Sequence, residues 1–263
     1  MTRISLFSDL HLASNPEQRA HGQWPIGNLH SAVAAAKAFS PDRMVIAGDC
    51  AYKMGLPENY EGLATLLDDF RSSGVQATCL PGNHDHRENL RQVLGDPKTM
   101  VAGLLTAKVE VEQSIWLFLD TQLGLHEVRG GVGKRQRAWI ERELDLAPEK
   151  PFIVVGHHHP ENSVRCDTFP GIGLRDTGHW LRFLDAHSQI KAYVFGHTHS
   201  WFHEQTSGGT WLVNLPAVGF TFQEDRACGW AQAVQSPTEL NLEFRSLDEK
   251  HPEHGDRIRI DLD

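Results

Sequence analysis

Apolar residues in the first half of the chain fall in short runs separated by stretches of helical period. Residues 3–8, 43–47 and 76–80 are runs of the length and composition of buried strands. Between them, the alanine-rich stretch 28–39 predicts a helix with Asn28 near its N-cap. Leu63, Leu66, Leu67 and Phe70 give 58–71 a helical apolar face, and 86–94 predicts a short helix. This β-α-β-α-β rhythm predicts parallel strands joined by helical crossovers. Further on, 108–113 and 115–120 predict adjacent strands with a tight turn. Residues 134–144 predict an amphipathic helix carrying Trp139, Ile140 and Leu144. A strand at 152–155, a helix at 176–187 capped by Asp176 or Thr177, and a strand at 191–195 follow. After Ser200 the pattern is strand and turn only, at 201–206, 210–214, 229–234 and 239–245, with Gly208-Gly209 as a hairpin turn. A polar, His/Glu-rich extension occupies 248–263, and the alternation in 256–262 predicts an edge strand. No linker or repeat divides the chain, so 1–263 reads as one α/β domain.

Five polar phrases each follow an apolar run: Asp9-Leu10-His11, Gly48-Asp49, Gly82-Asn83-His84-Asp85, His157-His158-His159-Pro160 and Gly196-His197-Thr198-His199. If the runs are strands, every phrase sits at a strand's C-terminal end, the edge where open α/β sheets bind ligands. Gly48, Gly82 and Gly196 suit tight turns off such strands. The phrases offer carboxylates, imidazoles and one amide without a thiolate, a donor set for divalent ions such as Mn, Fe, Zn or Co. The donors outnumber what one tetrahedral ion can use and suit two metals sharing a bridge.

Composition narrows the setting. With 263 residues, 40% hydrophobic and 22% charged, the chain is an ordinary globular protein with ample core. No apolar run is long enough to span a bilayer. A formal net charge of −9 disfavours long nucleic acids as partners but not small phosphate esters, because bound cations reverse the local field. Residues 1–9 run straight into a motif, so a cleaved leader would have to lie outside this sequence. Cys50, Cys79, Cys166 and Cys228 are scattered without a CxxC pair, which predicts structural thiols in a reducing, cytoplasmic compartment. A homo-oligomer is left open.

In Asp9-Leu10-His11 and His197-Thr198-His199 the donors stand at i and i+2, so an extended segment would turn both to one face. Asp49 is a lone carboxylate placed to bridge two ions. Asn83 offers a neutral oxygen that leaves a metal electrophilic. His84 follows at once and points elsewhere, free to act as an acid, and Asp85 is positioned to orient an imidazole. Two cations sharing a water would give hydroxide at neutral pH to attack a phosphate ester. His21 and His203, with Trp24, Trp201 and Phe220, are candidates to line the pocket, and Arg165 and Arg175 to meet a phosphate.

The order D-x-H, GD, GNHD, H-x-P, GHxH resembles the calcineurin-like metallophosphoesterases from about residue 3 to residue 200. The resemblance implies a four-layer α/β/β/α sandwich of two mixed sheets flanked by helices, with a binuclear centre. It implies that Asp9, His11, Asp49 and His199 hold one metal. It implies that Asp49, Asn83, a histidine of the 157–159 run and His197 hold the other. Placing the ligand two residues before proline selects His158. His84 matches the family's catalytic histidine. Leu119-Asp120-Thr121-Gln122, Gln136 with Trp139, Cys166 and Leu174-Arg175-Asp176 look like bacterial class III cyclic-nucleotide phosphodiesterases, with glycerophosphodiesterase-type enzymes nearby. The expectation is hydrolysis of a small phosphodiester. A phosphomonoesterase on the same fold and a non-catalytic scaffold are the competing readings.

Overall fold

The computed structural model describes residues 1–94, 99–101, 103–125, 127–161 and 170–263. In chain order the elements are β1 (Thr2–Phe7), α1 (Pro25–Phe39), β2 (Arg43–Ala47), α2 (Glu61–Ser72), β3 (Gln76–Leu80), α3 (Arg87–Leu94), β4 (Thr99–Val101), β5 (Leu104–Val111), β6 (Ser114–Phe118), α4 (Gly133–Leu146), β7 (Phe152–Val155), α5 (Thr177–Ala186), β8 (Ile190–Phe195), β9 (Phe202–Gln205), β10 (Trp211–Asn214), β11 (Gly229–Gln235), β12 (Glu239–Ser246) and β13 (Arg257–Asp261). One sheet runs β13-β12-β11-β1-β2-β3 and the other β4-β5-β6-β7-β8-β10-β9. The expected crossovers are present: β1, β2 and β3 are parallel, as are β6, β7, β8 and β10. The alternating segment near the C-terminus is the edge strand β13, paired antiparallel to β12.

Alternation along each strand builds the layers. Ile4, Leu6, Val45 and Ala47 point inward against Trp116, Phe118, Ile153, Val155, Ala192 and Val194 of the other sheet. Their neighbours Phe7, Met44 and Ile46 face outward, under Leu29, Ala32 and Ala36 of α1 and Leu63, Leu66, Leu67 and Phe70 of α2. Ile115, Leu117, Phe152, Val154 and Phe195 face the opposite way, under Trp139, Ile140 and Leu144 of α4 and Trp180, Phe183 and Leu184 of α5. The result is the four-layer α/β/β/α sandwich. A buried side chain such as Leu6 contributes about 1.5–3 kcal/mol by leaving water.

Two helix starts differ from expectation. α1 begins at Pro25, whose fixed φ suits a first helical position, and Asn28 instead donates from its side chain to Gly219 O at 2.9 Å. Asp176 stands before α5 without capping it. Its carboxylate accepts Val132 N–H at 3.1 Å and Gly133 N–H at 2.9 Å and pairs with Arg137 at 2.6 Å, so it caps α4 from across the layer. The turn between β5 and β6 is tight as expected, with Glu112 left-handed at φ 52°. His126, Arg165 and Cys166 lie outside the described residues.

Asp176→Ala removes that cap and the Arg137 partner together. Denaturant unfolding should show a loss of about 1–3 kcal/mol, with Asp176→Asn losing less because it keeps the acceptor oxygen. Equal midpoints for all three proteins would refute the capping role.

Candidate metal centre

The strand register lines the phrases along one rim. Phe7 lies beside Ile46 and Ala47 beside Leu80, while Phe118, Val155 and Val194 form a row in the other sheet. The first sheet therefore delivers Asp9, His11, Asp49, Asn83 and His84, and the second His157, His158, His197 and His199. Backbone bonds Asp9 N–H to Gly48 O at 3.1 Å and His11 N–H to Asp49 O at 3.0 Å fasten the first two phrases together. His197 N–H donates to Asp9 Oδ2 at 3.0 Å and fastens the two sheets.

The i, i+2 argument needs correction. Asp9, His11, Asp49, His197 and His199 all have positive φ, from 48° to 73°, so the paired donors are not on extended chain. Left-handed backbone costs a non-glycine residue about 1–3 kcal/mol and persists where the surroundings impose it, commonly at functional sites. The donors converge through these turns rather than through strand alternation. Of the phrase glycines, only Gly48 needs positive φ, at 89°. Gly196 is required by space: a Cβ there would lie 1.9 Å from Ser8 Oγ and 2.6 Å from Asp9 Oδ2.

A first donor group comprises Asp9, His11, Asp49 and His199. His199 Nε2 is 3.4 Å from Asp9 Oδ1 and 3.1 Å from His11 Nε2. His11 Nε2 is 3.9 Å from Asp9 Oδ1 and 3.8 Å from Asp49 Oδ2. A tetrahedron with bonds of about 2.1 Å has edges of roughly 3.4 Å, so one cation fits among these atoms. A second group lies beyond Asp49. His157 Nε2 is 3.4 Å from Asp49 Oδ2, and His157, His158 and His197 offer nitrogens within 4.8 Å of one another. Asp49 Oδ2 thus faces both groups, while Oδ1 accepts the His84 backbone N–H at 2.9 Å. Asp9 Oδ1, Asn83 Oδ1, His157 Nε2 and His158 Nε2 are buried without a hydrogen-bond partner. Each such atom costs about 1–3 kcal/mol unless something coordinates it. Their convergence fits a pair of cations.

The imidazoles are held by their other nitrogens. His157 Nδ1–H donates to Ala47 O at 2.8 Å, His199 Nδ1–H to Phe220 O at 2.6 Å and His197 Nε2–H to Ile172 O at 3.0 Å. A carbonyl can only accept, so in the neutral form of each ring the remaining nitrogen carries the lone pair, the tautomer a metal needs. His84 Nδ1–H donates to Lys53 O at 2.8 Å, which leaves Nε2 facing the first group. His158 Nδ1 bonds to Thr121 Oγ1 at 2.8 Å.

Charge follows the geometry. Burial disfavours ionised Asp9, but His199 and then His157 together outweigh that and hold the carboxyl well below its usual range. Asp49 is held low against burial by His157 and His84. Burial would depress His157 too, yet the Asp49 carboxylate raises it to about 9. Burial lowers His11 to about 3 and, together with neighbouring imidazoles, pushes His158 and His197 well down.

Asp85 does not orient an imidazole. Its carboxylate accepts N–H groups of Gly82 at 2.9 Å, Ala51 at 3.0 Å and Cys50 at 3.1 Å, and the Tyr60 hydroxyl at 3.0 Å. It pins the turn bearing Asn83 and His84 to the turn bearing Asp49. Burial and the Asp49 charge raise it to about 6 against those backbone donors. The phrase after β6 also serves the centre, a role that its residues do not announce in sequence. Thr121 Oγ1 accepts the N–H groups of His157 at 3.3 Å and His158 at 3.4 Å, and Gln122 Nε2 donates to Gly82 O and Asp85 O. Its position at the end of a sixth parallel-sheet strand was the available signal. Of the pocket candidates, Phe220 and His21 lie beside the centre, 4.7 Å ring to ring from His11 and 5.0 Å from Phe220 respectively. Trp24 bonds to Pro16 O, Trp201 and His203 share Asp256, and Arg175 pairs with Glu127.

Known proteins place this arrangement. A model of the calcineurin-like phosphoesterases matches residues 2–201. The chain is 29% identical over 247 residues to a probable cyclic nucleotide phosphodiesterase of Synechococcus sp. strain WH7803, covering 89% of this chain and 88% of that one. It is 29% identical over 204 residues to the 3′,5′-cyclic adenosine monophosphate phosphodiesterase CpdA of Escherichia coli K12, covering 75% and 69%. A dimetal phosphatase from Danio rerio shares the fold with a TM-score of 0.75 at 14% identity, covering 100% of this chain and 99% of that one. Among the described residues no helix is long and apolar enough to cross a membrane. The match extends over every donor-bearing phrase, and the chain belongs to the calcineurin-like phosphoesterase family as a phosphoric ester hydrolase.

Proposed function

We propose that the protein hydrolyses a small phosphodiester, of cyclic-nucleotide or glycerophosphodiester type, at a binuclear metal centre. The observation that carries this reading is Asp49 Oδ2, which faces His11 Nε2 on one side and His157 Nε2 on the other. The relatives named as cyclic nucleotide phosphodiesterases support diester chemistry. Asp9, His11, Asp49 and His199 would hold one ion. Asp49, Asn83, His197 and a histidine of the 157–159 run would hold the other. Between His157 and His158, the geometry favours His157, because its Nε2 stands at Asp49 and its Nδ1 is anchored on Ala47 O. His158 is anchored on Thr121 instead and faces His157 and His197. Mn, Fe, Zn and Co all suit this oxygen and nitrogen donor set.

When bound, the cations supply an acidified water as nucleophile and positive charge against the phosphate oxygens. His84 is partly exposed, with Nδ1 held by Lys53 O, so its Nε2–H in the protonated ring can donate to the leaving alkoxide. Asp85 keeps His84 and Asn83 in place through the turn rather than by touching substrate. A scaffold without catalysis would not need His84 fixed in this way. The free thiols Cys50, Cys79 and Cys228 support a reducing, cytoplasmic setting.

Asp49→Asn should abolish turnover of bis(p-nitrophenyl) phosphate and lower bound metal below two ions per chain; retained activity would sink the mechanism. The kcat/KM for diester over monoester substrates decides between phosphodiesterase and phosphomonoesterase.

His84→Ala should keep both metals and lose about 10²–10⁴ in kcat, the usual span for a general acid. A variant that keeps its rate would remove His84 from the reaction.

His157→Ala should lose one metal by elemental analysis, while His158→Ala keeps both. The opposite result would restore the assignment two residues before Pro160.

A further inference from the structure

Asp120 stands just past β6 and takes no part in the proposed reaction, yet its carboxylate is fully buried and fully committed. Oδ2 accepts Arg87 Nε–H at 2.6 Å and Leu105 N–H at 3.1 Å. Oδ1 accepts Arg87 Nη2–H at 2.9 Å and Gln122 N–H at 3.1 Å. Arg87 Nη2 donates to Gln122 O as well. A guanidinium that meets a carboxylate through two N–H groups fixes direction as well as distance. Arg87 is the first residue of α3, three residues after His84. The pair therefore joins the turn bearing Asn83 and His84 to the end of a strand in the other sheet.

Three consecutive residues divide this work. Asp120 holds Arg87, Thr121 Oγ1 accepts the N–H groups of His157 and His158, and Gln122 Nε2 donates to Gly82 O at 3.1 Å and Asp85 O at 2.6 Å. One short segment thus grips the Asn83 turn on one side and the imidazole turn on the other. The anchors that Asp49, Lys53, Cys50, Ala51 and Tyr60 give to His84 and Asp85 all lie between β2 and α2, in the half built on the first sheet. They shape the turn. Its spacing from the second sheet is the part that Arg87 and Gln122 control. The fastenings of the first donor group, Asp9 N–H on Gly48 O, His11 N–H on Asp49 O and His199 Nδ1 on Phe220 O, involve none of these residues.

We propose that Arg87 is a positioning residue for the second donor group: clamped by Asp120, it keeps Asn83 at the spacing from His157 and His197 that one cation spans. It thereby sets the affinity of that group and leaves the first group alone. This rests on the binuclear reading. Loss of a partner that orients a metal ligand costs about 10–100-fold in metal affinity, so the clamp has a readout independent of turnover.

The test competes the Zn-loaded full chain against a chromophoric chelator of known Zn affinity. Arg87→Lys keeps a positive charge beside Asp120, so the buried carboxylate is not left bare, but it loses the two-pronged contact and the bond to Gln122 O. Wild type should hold two ions; Arg87→Lys should hold one as tightly as before and the other about ten-fold more weakly or worse. Asp120→Asn, a second variant, should show the same pattern. Backgrounds with one donor group assign the loss. With His11→Ala, which disables the first group, adding Arg87→Lys should weaken the remaining ion about ten-fold; with His197→Ala, which disables the second, it should change nothing. Asp176→Ala, which loses a helix cap elsewhere, should move neither affinity and so separates positioning from general destabilisation. Unchanged affinities in Arg87→Lys and Asp120→Asn, or equal weakening of both groups, overturn the proposal while the binuclear reading stands. A wild type that holds a single ion overturns that reading and the proposal with it.

Discussion

The Asp49 carboxylate is the point on which the rest of the structure turns. It is buried among imidazoles, and its two oxygens have separate duties: Oδ1 accepts the His84 N–H, and Oδ2 faces His11 and His157. A carboxylate in low dielectric persists as an anion only if positive charge or strong donors surround it. Here those partners come from both sheets, so the charge on Asp49 ties the first sheet to the second. Gly48 before it and the Asp85 network behind it exist to hold this one group at φ 49° and at the meeting point of two donor sets.

The cost of that arrangement is distributed. Five donors sit in left-handed backbone, and several buried polar atoms have no protein partner. Such strain survives because the strands beneath are in apolar contact on both faces. The division of labour between sheets follows. Both carboxylates and the amide ride on the first sheet, and four of the imidazoles on the second. Neither sheet alone assembles a complete donor set, so the inter-sheet core is a condition of the site as well as of stability.

Much of this was legible in the sequence because strand burial and strand ends leave local marks. Apolar runs such as 43–47 and 152–155 coincide with β2 and β7, and the phrases after them are where the donors stand. What could not be read was anything set by non-local partners. Asn28 looks like an N-cap but bonds to Gly219, and Asp176 looks like the cap of its own helix but caps α4. Asp85 sits next to a histidine in sequence yet spends its oxygens on backbone N–H groups from Cys50, Ala51 and Gly82. The i, i+2 spacing gave the right convergence for the wrong reason, since local alternation says nothing about turns forced into positive φ. Spacing before Pro160 selects His158 among the three consecutive histidines, but it carries no trace of the different partner that each one faces: Asp49, Thr121 and the His197 ring.

The uneven treatment of those histidines also says how the centre relates to folding. His157 is drawn toward the protonated form by Asp49, whereas His158 and His197 are driven neutral by burial. A proton on His157 and a cation beside Asp49 are then alternatives that compensate the same buried negative charge. A cation bound beside Asp49 would displace that proton. Three apolar cores lie beneath the donors, and an ion that binds the folded state would add stability by mass action. Part of the stability of the sandwich is spent on keeping Asp9 and Asp49 buried, the two carboxylates on which the donor groups converge.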